Sequence, residues 1–139
     1  MSTTIRPEVS RKNRYWIERH RQYELKHFCL QYPQWKKAYI ELEGYFRSNN
    51  LNAVSSSYGY ITSPVETIAE SRLYFLDRMR MVEHAAEEAS PDLWKYLLIG
   101  VTEGLSYEHL KARLEIPCGK DLYYDIYRRF FWILDKARK

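Results

Sequence analysis

Residues 103–139 read EGLSYEHLKARLEIPCGKDLYYDIYRRFFWILDKARK, and this stretch decides the fold. Ser106 suits a helix N-cap, and Leu110 and Leu114, four apart, give the short helix that follows one apolar face. Pro117 and Gly119 then break the chain after Ile116, because proline lacks a backbone donor and glycine admits turn conformations. A longer amphipathic helix is expected over about 120–136, with Leu122, Ile126, Phe130 and Ile133 on its buried side. A short helix, a tight turn and a longer helix make a helix-turn-helix.

Working towards the N-terminus, Ser90-Pro91-Asp92 starts a further helix carrying Leu93, Trp94, Leu97, Leu98 and Val101. Gly104 ends it, since glycine accepts the left-handed conformation. Ser63-Pro64-Val65-Glu66 is another capped start, with proline at the first helical position and the acid three residues after the cap. The helix it opens should reach Ala89, ~39 Å at ~1.5 Å per residue. Its stripe of Val65, Ile68, Phe75, Met79, Val82, Ala86 and Ala89 is interrupted by Arg72. That pattern fits either the core helix of a monomer or a homodimer seam over 63–89.

Upstream, SNNLNAVSSSYGYITS (48–63) is rich in Ser and Asn and poor in charge, which predicts a flexible linker over 48–62, with a short hairpin as the alternative. Two more helices are expected, over about 10–30 and 33–46, parted at Tyr32-Pro33. The second has Trp35, Tyr39, Leu42 and Phe46 on one face. The chain therefore reads as all-α: a helical bundle with a long central helix and a C-terminal helix-turn-helix. Its expected organisation is a basic N-terminal helical segment (1–47), the linker, and a helical domain (63–139).

Thirteen Tyr, five Phe and four Trp in 139 residues supply ample apolar area, which argues against wholesale disorder. No apolar run is long enough for a membrane span, and the first residues do not read as a secretory signal. Cys29 and Cys118 are too far apart in sequence for a local metal knuckle. Two reduced thiols of a cytosolic protein are the default reading, with a disulfide geometrically open. The net charge of +4 is unevenly spread. Residues 1–27 have seven Lys/Arg against three acids, 28–119 nine against twelve, and 120–139 six against three. Basic ends around an acidic middle suit either a nucleic-acid partner or simple solubility.

The outward face of the last helix is expected to cluster Lys120, Asp121, Tyr124, Asp125 and Arg128, with Arg129 and Lys136 following. Lys120 and Arg128 suit guanine edges or phosphates, and Tyr124 a base or a phosphate oxygen. Ser106 and Tyr107 at the start of the short helix, and Arg11, Lys12 and Arg14 near the N-terminus, complete the candidate DNA contacts. The plainer reading is a basic amphipathic helix with solvated charges, in which Asp125 and Arg129 form an exposed pair.

No catalytic, metal-binding or cofactor-binding set is expected. His20 and His27 lack a carboxylate or cysteine at ligand spacing, and the adjacent Glu87 and Glu88 point apart on a helix. Cys118 just before a helix fits either a dipole-stabilised thiolate or a small packing residue.

The run from Leu98 to Lys136 resembles the final helix-turn-helix of bacterial sigma factors, through its EGLSYE…L…L-x-IP-x-G cadence. SPVETIAESRL, EEASPDLWKYLLIGVTEGLSYEHL and IPCGKDLYYDIYRRFFWIL together resemble small prophage proteins of Gram-positive bacteria, similar in turn to phage transcriptional activators of the RinA and ArpU type. The likeness spans roughly 63–137. It departs at Lys111 and Glu115, which stand where sigma-like units carry a small residue and a turn glycine. What it implies is a non-enzymatic transcriptional regulator that binds double-stranded DNA through helix 120–136, with RNA polymerase or another protein as a further partner and no membrane. The alternative is a helical interaction or assembly factor, such as a phage packaging adaptor or a host-protein inhibitor.

Overall fold

A computed structural model describes residues 11–47 and 64–138. Among them are six helices and no strand: α1 (Arg19–Leu30), α2 (Tyr32–Arg47), α3 (Pro64–Ala89), α4 (Trp94–Glu103), α5 (Tyr107–Leu114) and α6 (Lys120–Ala137). The chain is all-α, as expected. No described helix is long and apolar enough to cross a membrane. The expected linker over 48–62 lies outside the described residues.

The helices divide into two compact units, one built from the chain up to Gln31 and from Met81 onward, the other from Tyr32–Arg80. The division differs from the one expected along the sequence, where α1 and α2 share an N-terminal segment. Instead α1 packs on α4 and α6. Its buried residues Leu25, Phe28 and Cys29 explain why, since they need an apolar partner surface. The helix begins at Arg19, nine residues later than expected. Glu18 caps it by accepting the N–H groups of His20 and Arg21 at 3.0 and 3.2 Å. Asn13 holds a turn just before, its side chain accepting the N–H of Tyr15 at 2.8 Å.

In the first unit α4, α5 and α6 each pack against the other two. The core is Leu25 and Cys29 of α1, Leu97 and Val101 of α4, Leu110 of α5, Ile116 of the turn, and Tyr123, Phe130, Phe131 and Leu134 of α6. Gly100 lets α4 approach closely. A Cβ there would lie 2.4 Å from the Tyr123 hydroxyl oxygen and 3.1 Å from Leu110 Cδ1.

The buried sector of α6 is rotated from the expected one. Ile126 and Phe130 are buried, but Leu122 is 51% exposed and Ile133 half-buried. Tyr123, Tyr124, Phe131 and Leu134 take the interior. Rings remove more apolar area from water than a leucine does, so the aromatic positions set which way the helix faces. Leu114, expected beside Leu110, is 39% exposed for a related reason: α5 ends there, and the turn carries Ile116 inward instead.

In the second unit, Arg72 occupies the interrupted position of the α3 stripe. Its guanidinium donates to the Tyr39 hydroxyl of α2 at 3.2 Å, lies 5.0 Å from that ring's centroid, and stands 3.8 Å from a Glu43 carboxylate oxygen. Trp35 and Met79 are buried.

Candidate nucleic-acid interface

The helix-turn-helix of α5 and α6 is built by a few local devices. Ser106 caps α5, its hydroxyl accepting the N–H of His109 at 3.3 Å and meeting the His109 ring nitrogen at 2.9 Å. Leu114 closes the helix and Glu115 turns the chain with φ 53° and ψ 48°. It is the non-glycine residue with positive φ among those described. Such a turn favours glycine, and here a glutamate takes the left-handed geometry it demands. The N–H of Cys118 then bonds the Ile116 carbonyl at 2.9 Å, and α6 starts after Gly119.

Two tyrosines bind this turn to its helices. The Tyr107 hydroxyl donates to the Cys118 carbonyl at 2.7 Å, and the Tyr107 N–H donates to the Tyr124 hydroxyl at 3.2 Å. Tyr124, expected on the outward face, is instead buried, because its ring stacks edge-on against Tyr123 and Tyr127. Tyr107 is half-buried and Ser106 is occupied as a cap. These three candidate contact residues thus hold the motif together. Burial pushes the Cys118 thiol up from its ordinary value, which favours its reading as a packing residue over a thiolate.

The remaining candidates are charged. Lys120 pairs with Glu108 of α5 at 2.6 Å. That hydrogen bond raises the lysine above its ordinary range and lowers the glutamate below its own. The first turns of α6 therefore present Asp121, Leu122 and Asp125 to solvent beside a lysine already engaged. Arg128 and Arg129 follow, half-buried, and the Nε of each is buried without a hydrogen-bond partner. Arg129 also reaches the Glu88 carbonyl, at 3.5 Å.

The basic segments 11–21 and 128–138 meet. Arg21 donates from Nε to Asp135 at 2.6 Å and also bonds the carbonyl of Arg138. The Tyr15 ring meets the Trp132 ring edge-on at 5.5 Å. Around these contacts Arg14 lies over Tyr15 at 5.1 Å, Lys136 over Trp132 at 3.2 Å, Arg11 over Trp16 at 5.6 Å and Arg138 over Phe28 at 4.3 Å. Residues 11–21 and 128–138 hold nine Lys/Arg against two acids. Both acids are engaged, Glu18 as a helix cap and Asp135 with Arg21. Arg11, Lys12, Arg14 and Lys136 are exposed there. The charge census showed that both ends are basic but carried no sign that they meet. Arg138, Arg21 and the rings of Tyr15 and Trp132 join the surface only through tertiary contacts.

No family model, curated protein or solved structure matches the chain.

Proposed function

We propose that the protein is a DNA-binding helix-turn-helix regulator of the phage type, acting on transcription with α6 as its recognition helix. The observation that carries this reading is the basic, aromatic-braced surface where the two chain ends meet, at the C-terminal half of the helix that a helix-turn-helix inserts in the major groove. Arg11, Lys12, Arg14 and Lys136 supply phosphate contacts, and rings beneath several of the cations fix their positions. Arg128 and Arg129 have guanidinium donors to spare for a phosphate or a guanine edge. Asp121 and Asp125 at the leading end repel phosphates and suit cytosine amines, so the phosphate surface supplies most of the affinity and the reading helix comparatively little.

The test is duplex binding by the full chain at two or more salt concentrations. Neutralising about four phosphates gives a slope of log K on log salt near −3.6. Replacing Arg11, Lys12 and Arg14 with Gln should flatten that slope by about 2 to 3, and Arg128→Ala should weaken binding on every sequence tried. Absence of duplex binding at low salt overturns the reading.

A second reading has its own observation. In the Tyr32–Arg80 unit, Ile40 is 54%, Leu73 58% and Tyr74 49% exposed, apolar residues of the kind that protein partners cover. An interaction or assembly role, with a homodimer over 63–89 among its forms, rests on those residues. Sedimentation of wild type against Leu73→Lys separates it from the DNA reading.

A further inference from the structure

The first unit holds a half-open cavity of about 470 Å³ between α1 and the inner side of α4 and α6. Its deep wall is made of buried residues, Val101, Tyr124 and Phe131, and its outer edge of Leu30, Lys26 and His27, which are half-buried or exposed. One glycine, Gly104, keeps the edge of the space clear beside Leu30. Gly100 lies on the wall, and Gly104 takes the left-handed turn at φ 69°, where a Cβ would meet Leu30 Cδ2 at 3.4 Å. The described residues lining the cavity include two that can carry positive charge, Lys26 and His27, and no carboxylate. Lys26 makes no ion pair among the described residues; its ammonium lies 5.7 Å from the Tyr23 ring.

The volume falls within the range of small-molecule sites, which are apolar within and carry a few placed polar groups. An apolar interior beneath a cationic edge selects for an apolar tail with one negative head. We infer that this cavity binds a small amphipathic carboxylate, its alkyl or aryl part against Val101, Tyr124 and Phe131 and its carboxylate at Lys26 and His27. The inference stands apart from the DNA reading and is measured without nucleic acid.

The probe is decanoate, with decanol as its uncharged counterpart, titrated calorimetrically into the full chain. Decanoate should bind one-to-one with Kd below about 1 mM and raise Tm, with decanol weaker by about fivefold or more. Lys26→Gln should weaken decanoate about fivefold and leave decanol unchanged, the size expected of one solvent-facing charge pair. Leu30→Glu, at a position 42% exposed and therefore tolerant, should weaken decanoate at least as much by placing an acid at the edge. The assignment is overturned if decanoate shows no saturable binding, if decanol binds equally well, or if neither variant changes decanoate affinity.

Discussion

The N–H of Tyr107 donates to the hydroxyl of Tyr124 across the helix-turn-helix, at 3.2 Å. That N–H belongs to the first turn of α5, where backbone donors have no helical acceptor. A side chain from α6 thus completes the cap that Ser106 begins. Tyr124→Phe keeps the ring packing and leaves the donor without its partner. The expected cost is about 1 kcal/mol, a loss of several degrees in Tm by calorimetry. Tyr107→Phe, which frees the Cys118 carbonyl, should cost a similar amount, and an unchanged Tm in both would show that water replaces these bonds.

Glu115 holds a left-handed conformation that costs a side-chain-bearing residue free energy and costs glycine almost none. Its side chain is exposed, so little packing is lost on removal. Glu115→Gly should therefore stabilise the first unit by about 0.5–1 kcal/mol, read as a higher midpoint in urea with unchanged m. A lower midpoint would mean that the entropy glycine adds to the unfolded chain outweighs the strain relieved.

The helix-turn-helix was legible because its signals are local: Ser106 as cap, Gly104 as terminator, Pro117 and Gly119 as the break. Glu115 was legible in part, as a departure from the glycine expected in the turn. The sector that α6 buries was not. Leu122, Ile126, Phe130 and Ile133 lie on one helical face just as Tyr123, Tyr124, Phe131 and Leu134 do, and apolar periodicity alone ranks the two sets alike. The choice fell to ring packing with α5 and to the Tyr107 N–H bond that the Tyr124 hydroxyl accepts, both tertiary. The same holds for the candidate interface. Charge counting found basic residues at both ends, but only contacts such as Tyr15 with Trp132 bring them to one surface.

Gly100 supports a sharper prediction than most helical glycines. An interior glycine normally gains stability on replacement by alanine, by about 0.5–1 kcal/mol. Here the new methyl would meet the Tyr123 hydroxyl at 2.4 Å and Leu110 at 3.1 Å, both fully buried. Overpacking should win, so Gly100→Ala should destabilise by about 1–3 kcal/mol in denaturant titration. Adding Tyr123→Phe, which removes the obstructing oxygen, should recover much of the loss. The Tyr123 hydroxyl has no hydrogen-bond partner, so its removal leaves no group orphaned. Failure of the double variant to recover would place the clash at Leu110.

The Glu108–Lys120 pair ties the first residue of α6 to the preceding helix and, on the proposed DNA-binding reading, holds a cation that would otherwise meet phosphates. Its pH dependence follows from the directions of the two shifts. Glu108 titrates below its ordinary 4.5, so its contribution is complete above that value and is lost as pH falls through the lowered folded value. Lys120 titrates above its ordinary 10.5, so its contribution is complete below that value and is lost as pH rises through the raised one. The stability difference between wild type and Glu108→Gln should thus be flat through neutral pH and vanish in acid. Both groups face solvent, so the difference is small, and the clearer readout is duplex affinity. Freeing Lys120 by Glu108→Gln should tighten binding at low salt and steepen the slope of log K on log salt by about 0.9, the value for one added phosphate contact. An unchanged slope, with duplex binding otherwise intact, would remove Lys120 from the proposed interface and leave it to the arginines and to the surface that residues 11–21 and 128–138 share.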